Sequence, residues 1–173
     1  MKRIRFLLLV LICIGIVNCA KEDDEVIDPG NNIVINELMP KNSKYVSDQN
    51  GQFDDWIELH NLSNQEVDIS GCYLTDSKKY LTKWIFPAGT VIPGKGYLVI
   101  WADGDIAQEG LHTPYKLAAE GENVVLVTPG LEIIDLVEYP EYPITTTEQS
   151  YARIPNGTGD FIWTAPTYNG PND

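Results

Sequence analysis

FDDWIELHN (53–61), WIFPAGTVIPGKG (84–96) and YLVIWA (97–102) are short apolar phrases separated by turn residues, and their reading decides the fold. Each apolar run has four to eight residues rich in β-branched and aromatic types, the composition of strands that pack at least one face. Trp56, Ile57 and Leu59 are placed to pack on both sides of a central strand. Trp84, Phe86, Leu98, Ile100 and Trp101 are expected to supply the layer facing it. Burying one large apolar side chain contributes ~1.5–3 kcal/mol, so these positions account for themselves as core. Pro87 and Gly89 are expected to end one strand and turn the chain.

The same grammar extends in both directions. Strands are predicted at IVINELM (33–39), WIELHN (56–61), VDIS (67–70), CYLT (72–75), YLTKWIF (80–86) and YLVIWA (97–102). They continue at NVVLVT (123–128), EIIDLVEY (132–139), SYARI (150–154) and FIWT (161–164). Between them, Pro93-Gly94, Asp103-Gly104, Pro129-Gly130 and Asn156-Gly157 supply a fixed φ or access to positive φ. No window sustains a 3.6-residue apolar period, and LHTPYKLAAEG (111–121) allows one helical turn at most. Many short strands with regular turns indicate an all-β fold, an antiparallel sandwich.

The N-terminus reads differently. Residues 1–18, MKRIRFLLLVLICIGIVN, place Lys2, Arg3 and Arg5 before an apolar run from Phe6 to Val17. That run is shorter than the ~20 apolar residues of a membrane span and has the layout of a secretory signal. Cys19 follows directly, as in a bacterial lipoprotein signal, where the cysteine sulfur receives a diacylglycerol and the preceding peptide is removed. Asn18 departs from the small residue favoured at that position. Lys21, Glu22, Asp23, Asp24 and Glu25 resemble an acidic export signal that sends lipoproteins to the outer face of a Gram-negative outer membrane. The expected organisation is a signal peptide over 1–18, an acidic tether over 19–32 and one domain over 33–173. The membrane partner is the lipid anchor, which contributes ~0.8 kcal/mol per buried CH₂.

Charge and cysteine usage agree. With 12 Lys+Arg against 25 Asp+Glu, the net charge is −13; without Lys2, Arg3 and Arg5 the remaining 9 basic residues give −16. Such a surface repels phosphate backbones and excludes nucleic acid as the expected partner. Cys13 leaves with the signal, Cys19 is the lipidation site, and Cys72 remains as a lone small hydrophobe, so no internal disulfide can form.

The order and spacing of these phrases resemble the lamin tail domain family, from about Ile33 to Pro171. INELM (35–39) resembles the family's opening strand, and DWIELHN (55–61) its most recognisable phrase. WIFPAGTVIPGKGYLVIWA (84–102), LHTPYKLAAEGENVVLVTPG (111–130) and YARIPNGTGDFIWTAPTYNGPN (151–172) resemble its later segments. The resemblance implies an immunoglobulin-like β-sandwich and a targeting or adaptor role, as where the domain accompanies secreted hydrolases. Lamins use this domain for protein and chromatin contacts, and the mature charge argues against carrying over the chromatin part.

Two groups of residues are left for chemistry. Glu37, Asp54, Asp55 and Glu58, with Asn36, Asn61, Asp48 and Asn50 nearby, form an oxygen-rich set that suits Ca²⁺. The loop DQNGQFDD (48–55) lacks the EF-hand spacing, and the alternative is an Asx-turn loop with structural carboxylates. Trp163, Tyr142 and Tyr168 could stack on a sugar or peptide instead of packing in the core. His60 and His112 are the only histidines and lie in no metal-ligand spacing; no nucleophile elbow or phosphate loop is present. No cofactor is implied. Three classes remain: a non-catalytic surface module binding protein, glycan or envelope material, a Ca²⁺-dependent adhesin-like module, and a small hydrolase using a carboxylate pair.

Overall fold

The computed structural model describes residues 28–173. The expected signal peptide, Cys19 and the acidic residues 21–25 lie outside them. Twelve strands follow a 3₁₀ turn at Pro29–Asn31: β1 Ile33–Met39, β2 Asp55–Asn61, β3 Val67–Asp68, β4 Tyr73–Thr75, β5 Trp84–Ile85 and β6 Val91–Ile92. They continue as β7 Tyr97–Ala102, β8 His112–Thr113, β9 Glu122–Val127, β10 Ile133–Tyr139, β11 Ser150–Ile154 and β12 Asp160–Thr164. One sheet runs β12-β11-β1-β2-β7-β8, a second β10-β9-β4-β5, and β3 pairs with β6 alone. All pairings are antiparallel except β7 with β8. This is an immunoglobulin-like sandwich.

Its core lies between the two larger sheets. Ile33, Ile35, Leu38, Ile57, Leu59 and Ile100 from the first sheet meet Leu74, Val124, Leu126 and Val137 from the second. Phe86, Ile69 and Cys72 fill the end near the short third sheet. Burial pushes the Cys72 thiol up to about 11, so it is an inert packing group.

The expected facing layer divides in two. Leu98, Ile100 and Trp101 lie on β7, beside β2 in the same sheet, with Ile57 opposite Ile100 and Trp56 opposite Trp101. Only Trp84 and Phe86 come from across the sandwich. A tight Pro93-Gly96 turn returns the chain toward β2 through a bond from Asn61 N–H to Gly96 O, and sequence order gives no hint of that adjacency. YLTKWIF shrinks to Trp84–Ile85, because Thr75 Oγ1 donates to Tyr80 O and holds the preceding residues in a turn. β6 and β8 were too short to show as apolar runs. Residues 28–32, tether by composition, form a turn capped by Asp28, and Asn32 O accepts from Leu62 N–H.

β1 and β2 are buried on both faces, which a two-layer sandwich alone does not require. Ile57 and Leu59 point into the core. Trp56, Glu58 and His60 alternate to the outward face, as the two-residue side-chain period dictates. The chain beyond β12 covers that face: Tyr168 packs against Trp56 and Trp101, with Met39 and Val46 alongside.

Candidate functional site

The acidic residues that the sequence left for chemistry fall into two places. Glu37 and Glu58 are directly opposite on β1 and β2, and both are fully buried under the C-terminal segment. A β-bulge between Ile35 and Glu37 makes Asn36 an extra residue and brings it onto the same face as Glu37. Every carboxylate oxygen of the pair accepts a hydrogen bond. Glu37 takes Thr167 N–H at 3.0 Å and Thr167 Oγ1–H at 2.7 Å. Glu58 takes Asn36 Nδ2 at 3.0 Å and Asn169 N–H at 2.5 Å. Burial raises both carboxyls, Glu58 to about 7, with the charge of Glu37 adding to the effect there.

The RIPNG phrase completes this polar layer. Asn156 accepts from Asn36 and from Asn172 N–H, and donates to Tyr97 Oη. Gly157 N–H donates to Asn36 Oδ1 at 2.9 Å. Gly157 has φ +69°, and a Cβ there would fall 2.6 Å from Leu62 Cδ2 and 2.8 Å from the His60 ring, so only glycine fits. Arg153 donates from Nη2 to both oxygens of Asp135 on β10, and from Nε to Ile35 O. Asp135 in turn accepts from Ile35 N–H at 2.8 Å. This clamp joins the two sheets and satisfies the β1 backbone where its pairing with β11 stops.

Asp54 and Asp55 lie elsewhere. Asp55 opposes Ala102 on the inner side of the sheet, where burial raises it to about 6 while the Asn42 and Leu117 main-chain N–H groups pull it back in part. Asp54 joins a loop cluster with Asp48, Asp103 and His112; burial first, then the charge of Asp103, raises its carboxyl. Asp48 Oδ1 accepts from Asn50 and Gln52 N–H in an Asx turn. Asp48 Oδ2 and Asp54 Oδ2 are buried without a partner. Among the described residues, no three His, Cys, Asp or Glu side chains are arranged to hold a metal ion.

A buried His–Asp pair has no signature in the sequence. His112 Nδ1 lies 2.6 Å from Asp103 Oδ2, and its Nε2 lies 2.9 Å from the Gln49 side-chain amide. With the Gln49 amide donating to Nε2, Nδ1–H donates to Asp103. The second nitrogen meets an amide in place of a hydroxyl or thiol, so the pair ties β8 to the 48–52 loop. The Asp and His are nine residues apart in the chain with a turn between them, and no spacing rule flags that.

The aromatic residues sort the other way. Tyr168 is absorbed by the cluster around Trp56. Tyr142 and Trp163 meet edge to face with centroids 5.2 Å apart, and Trp163 continues to Tyr151 at 5.0 Å and Tyr151 to Phe161 at 5.2 Å. Arg153 closes the row over Phe161 at 4.5 Å, and Lys41 sits over Tyr142 at 5.4 Å. The row lies on the inner side of β11 and β12 but remains only partly buried. β12 is the last strand of its sheet, whereas the facing sheet ends at β10, which meets β11 through the Asp135–Arg153 clamp. Beside the row, a cleft of about 300 Å³ opens between Lys41, Glu120 and Tyr142–Thr145. A second cleft lies across Tyr142, lined by Ser43, Lys44 and Thr145–Glu148.

The lamin tail domain family model matches residues 28–141, well over half of the chain. The chain belongs to the lamin tail domain family. Members share an immunoglobulin-like, non-catalytic domain, which agrees with the sandwich and with the structural roles of the DWIELHN carboxylates. No curated protein matches the chain. Within this lamin tail domain, β11, β12 and the covering segment lie beyond the matched residues, and the aromatic row stands mostly on them.

Proposed function

We propose that this lamin tail domain is a non-catalytic binding module, held on the bacterial surface through Cys19, that engages a protein or glycan through the β11–β12 aromatic row. The observation that carries the reading is the row itself. In a domain that buries Trp56, Phe86 and Trp101, the run Tyr142–Trp163–Tyr151–Phe161 stays only partly buried, and its end at Tyr142 lines two clefts. Aromatic rings with a flat apolar face and adjacent Lys and Arg groups suit stacking on sugar rings or on an extended peptide. The test is binding of the wild type and of Trp163→Ala and Tyr142→Ala to a glycan array and to envelope proteins. A shared ligand lost by at least tenfold in both variants supports the reading; equal binding by all three sinks it. Surface attachment has its own test: metabolic labelling with a fatty-acid analogue that wild type incorporates and Cys19→Ala does not.

A second reading, the Ca²⁺-dependent module, is favoured by the two unpartnered oxygens of Asp48 and Asp54. Glu37 and Glu58 are engaged by the C-terminal segment, so an ion would draw on the loop oxygens, main-chain carbonyls and water. A calcium-induced rise in Tm that disappears in Asp48→Asn/Asp54→Asn would support it, and an unchanged Tm would exclude it.

A further inference from the structure

We propose that the C-terminal segment 165–173 is a proton-dependent latch, closed over the Glu37–Glu58 pair and loosened when both carboxylates are ionised. The segment forms no strand. It is held by the two glutamates through Thr167 and Asn169, by Asn172 to Asn36 O and Asn156, and by Tyr45 Oη donating to Pro166 O. Tyr168 is its one large apolar anchor, set against Trp56 and Trp101.

What singles out this contact is the missing counter-charge. The ion pairs among the described residues are Lys78–Glu138, Lys83–Asp76, His112–Asp103 and Arg153–Asp135, and none includes Glu37 or Glu58. The titratable groups around the pair are His60 on β2, Tyr97 on β7, Tyr45 from the preceding loop, and Tyr168 and Asp173 on the segment. His60 is held below its ordinary pKa by burial and stacks on Tyr97, so it provides no cation at neutral pH. Two carboxylates opposite each other in a desolvated layer repel when both are charged, and one retained proton relieves that repulsion.

The hydrogen bonds from Asn36, Thr167 and Asn169 favour the ionised forms, yet burial outweighs them and both groups stay raised, Glu58 to about 7. The sign follows from proton uptake. The closed latch binds protons more tightly than an open one with ordinary carboxyls, so closure is complete in mild acid. It weakens as pH rises from about 4.5 through about 7. Opening would uncover Met39, Trp56 and Trp101.

The test is amide hydrogen exchange of Thr167 and Asn169 in the full chain from pH 5.5 to 8, each referred to Ile57 in β2 to remove the intrinsic pH dependence. Protection of the two latch amides is expected to fall by about tenfold or more relative to Ile57, and tryptophan emission to shift red in parallel. Glu58→Gln should flatten the profile. A wild-type profile parallel to Ile57 would overturn the proposal, as would a Glu58→Gln profile as steep as wild type. Should Glu58→Gln not fold, Glu37→Gln is read against the same two outcomes.

Discussion

The outward face of β1 and β2 and the inner face of β11 and β12 reverse what their chemistry suggests. The first is lined by Asn36, Glu37, Glu58 and His60, residues that usually look toward water or a ligand, and it is sealed. The second is lined by Tyr151, Phe161 and Trp163, residues that usually close a core, and it stays partly open. The difference is one of coverage. The C-terminal segment brings its own N–H groups to the carboxylates, while the facing sheet ends at β10 and leaves Trp163 of β12 only partly covered, with Tyr142 against its edge. Polarity therefore marks the structural face here, and aromaticity the available one.

The hardest blow to this contrast is Arg153→Ala. It strands Asp135, with its side chain 15% exposed, and leaves the Ile35 carbonyl without its side-chain donor. A loss of about 3–5 kcal/mol is expected in urea denaturation, the usual size for one partner removed from a largely buried pair. The pH dependence of unfolding comes next. Glu58, ordinarily near 4.5, rises to about 7 in the fold, so stability is full in acid and declines through that interval. The drop from this group is of order 3 kcal/mol by linkage, and Asp55, raised to about 6, acts in the same direction. A curve that instead gains stability from pH 5 to 7 would mean that the sealed face is not desolvated.

Asn36→Ala should cost about 2 kcal/mol, because Glu58, Asn156 and Gly157 N–H each lose a partner in a layer closed to water. The smallest effect on stability belongs to Trp163→Ala, about 1 kcal/mol or less, since the ring is only partly buried. If that change destabilises as much as Asn36→Ala, the aromatic row is core and the contrast fails.

Much of the fold was legible. YLVIWA and SYARI are strands over the residues their patterns mark, and the all-β class follows from period and turns alone. The site was harder to read, for three physical reasons. The bulge at Asn36 shifts the two-residue period, so Asn36 and Glu37 share a face that strict alternation would separate. Thr167 and Asn169, which donate to Glu37 and Glu58, lie over 100 residues downstream of them, and no local pattern connects Thr167 with β1. The placement of Leu98, Ile100 and Trp101 depends on which strands are neighbours, a property of topology and not of composition. Trp163, Tyr142 and Tyr168 are all stacking candidates by sequence, and the structure brings the first two together while setting Tyr168 against Trp56.

The pairing of β11 with β1 sets an order of events in time. β1 is the first strand of the domain, and its place in the middle of the sheet is completed by a strand more than 100 residues later. One flank of β1 stays an open template until residues 150–154 dock on it, and such long-range pairing is slow to form. A fragment ending where the family match ends, at residue 141, would keep that flank open permanently. It should self-associate more readily than the whole chain, so the natural end of this domain lies past the boundary that its family signature draws.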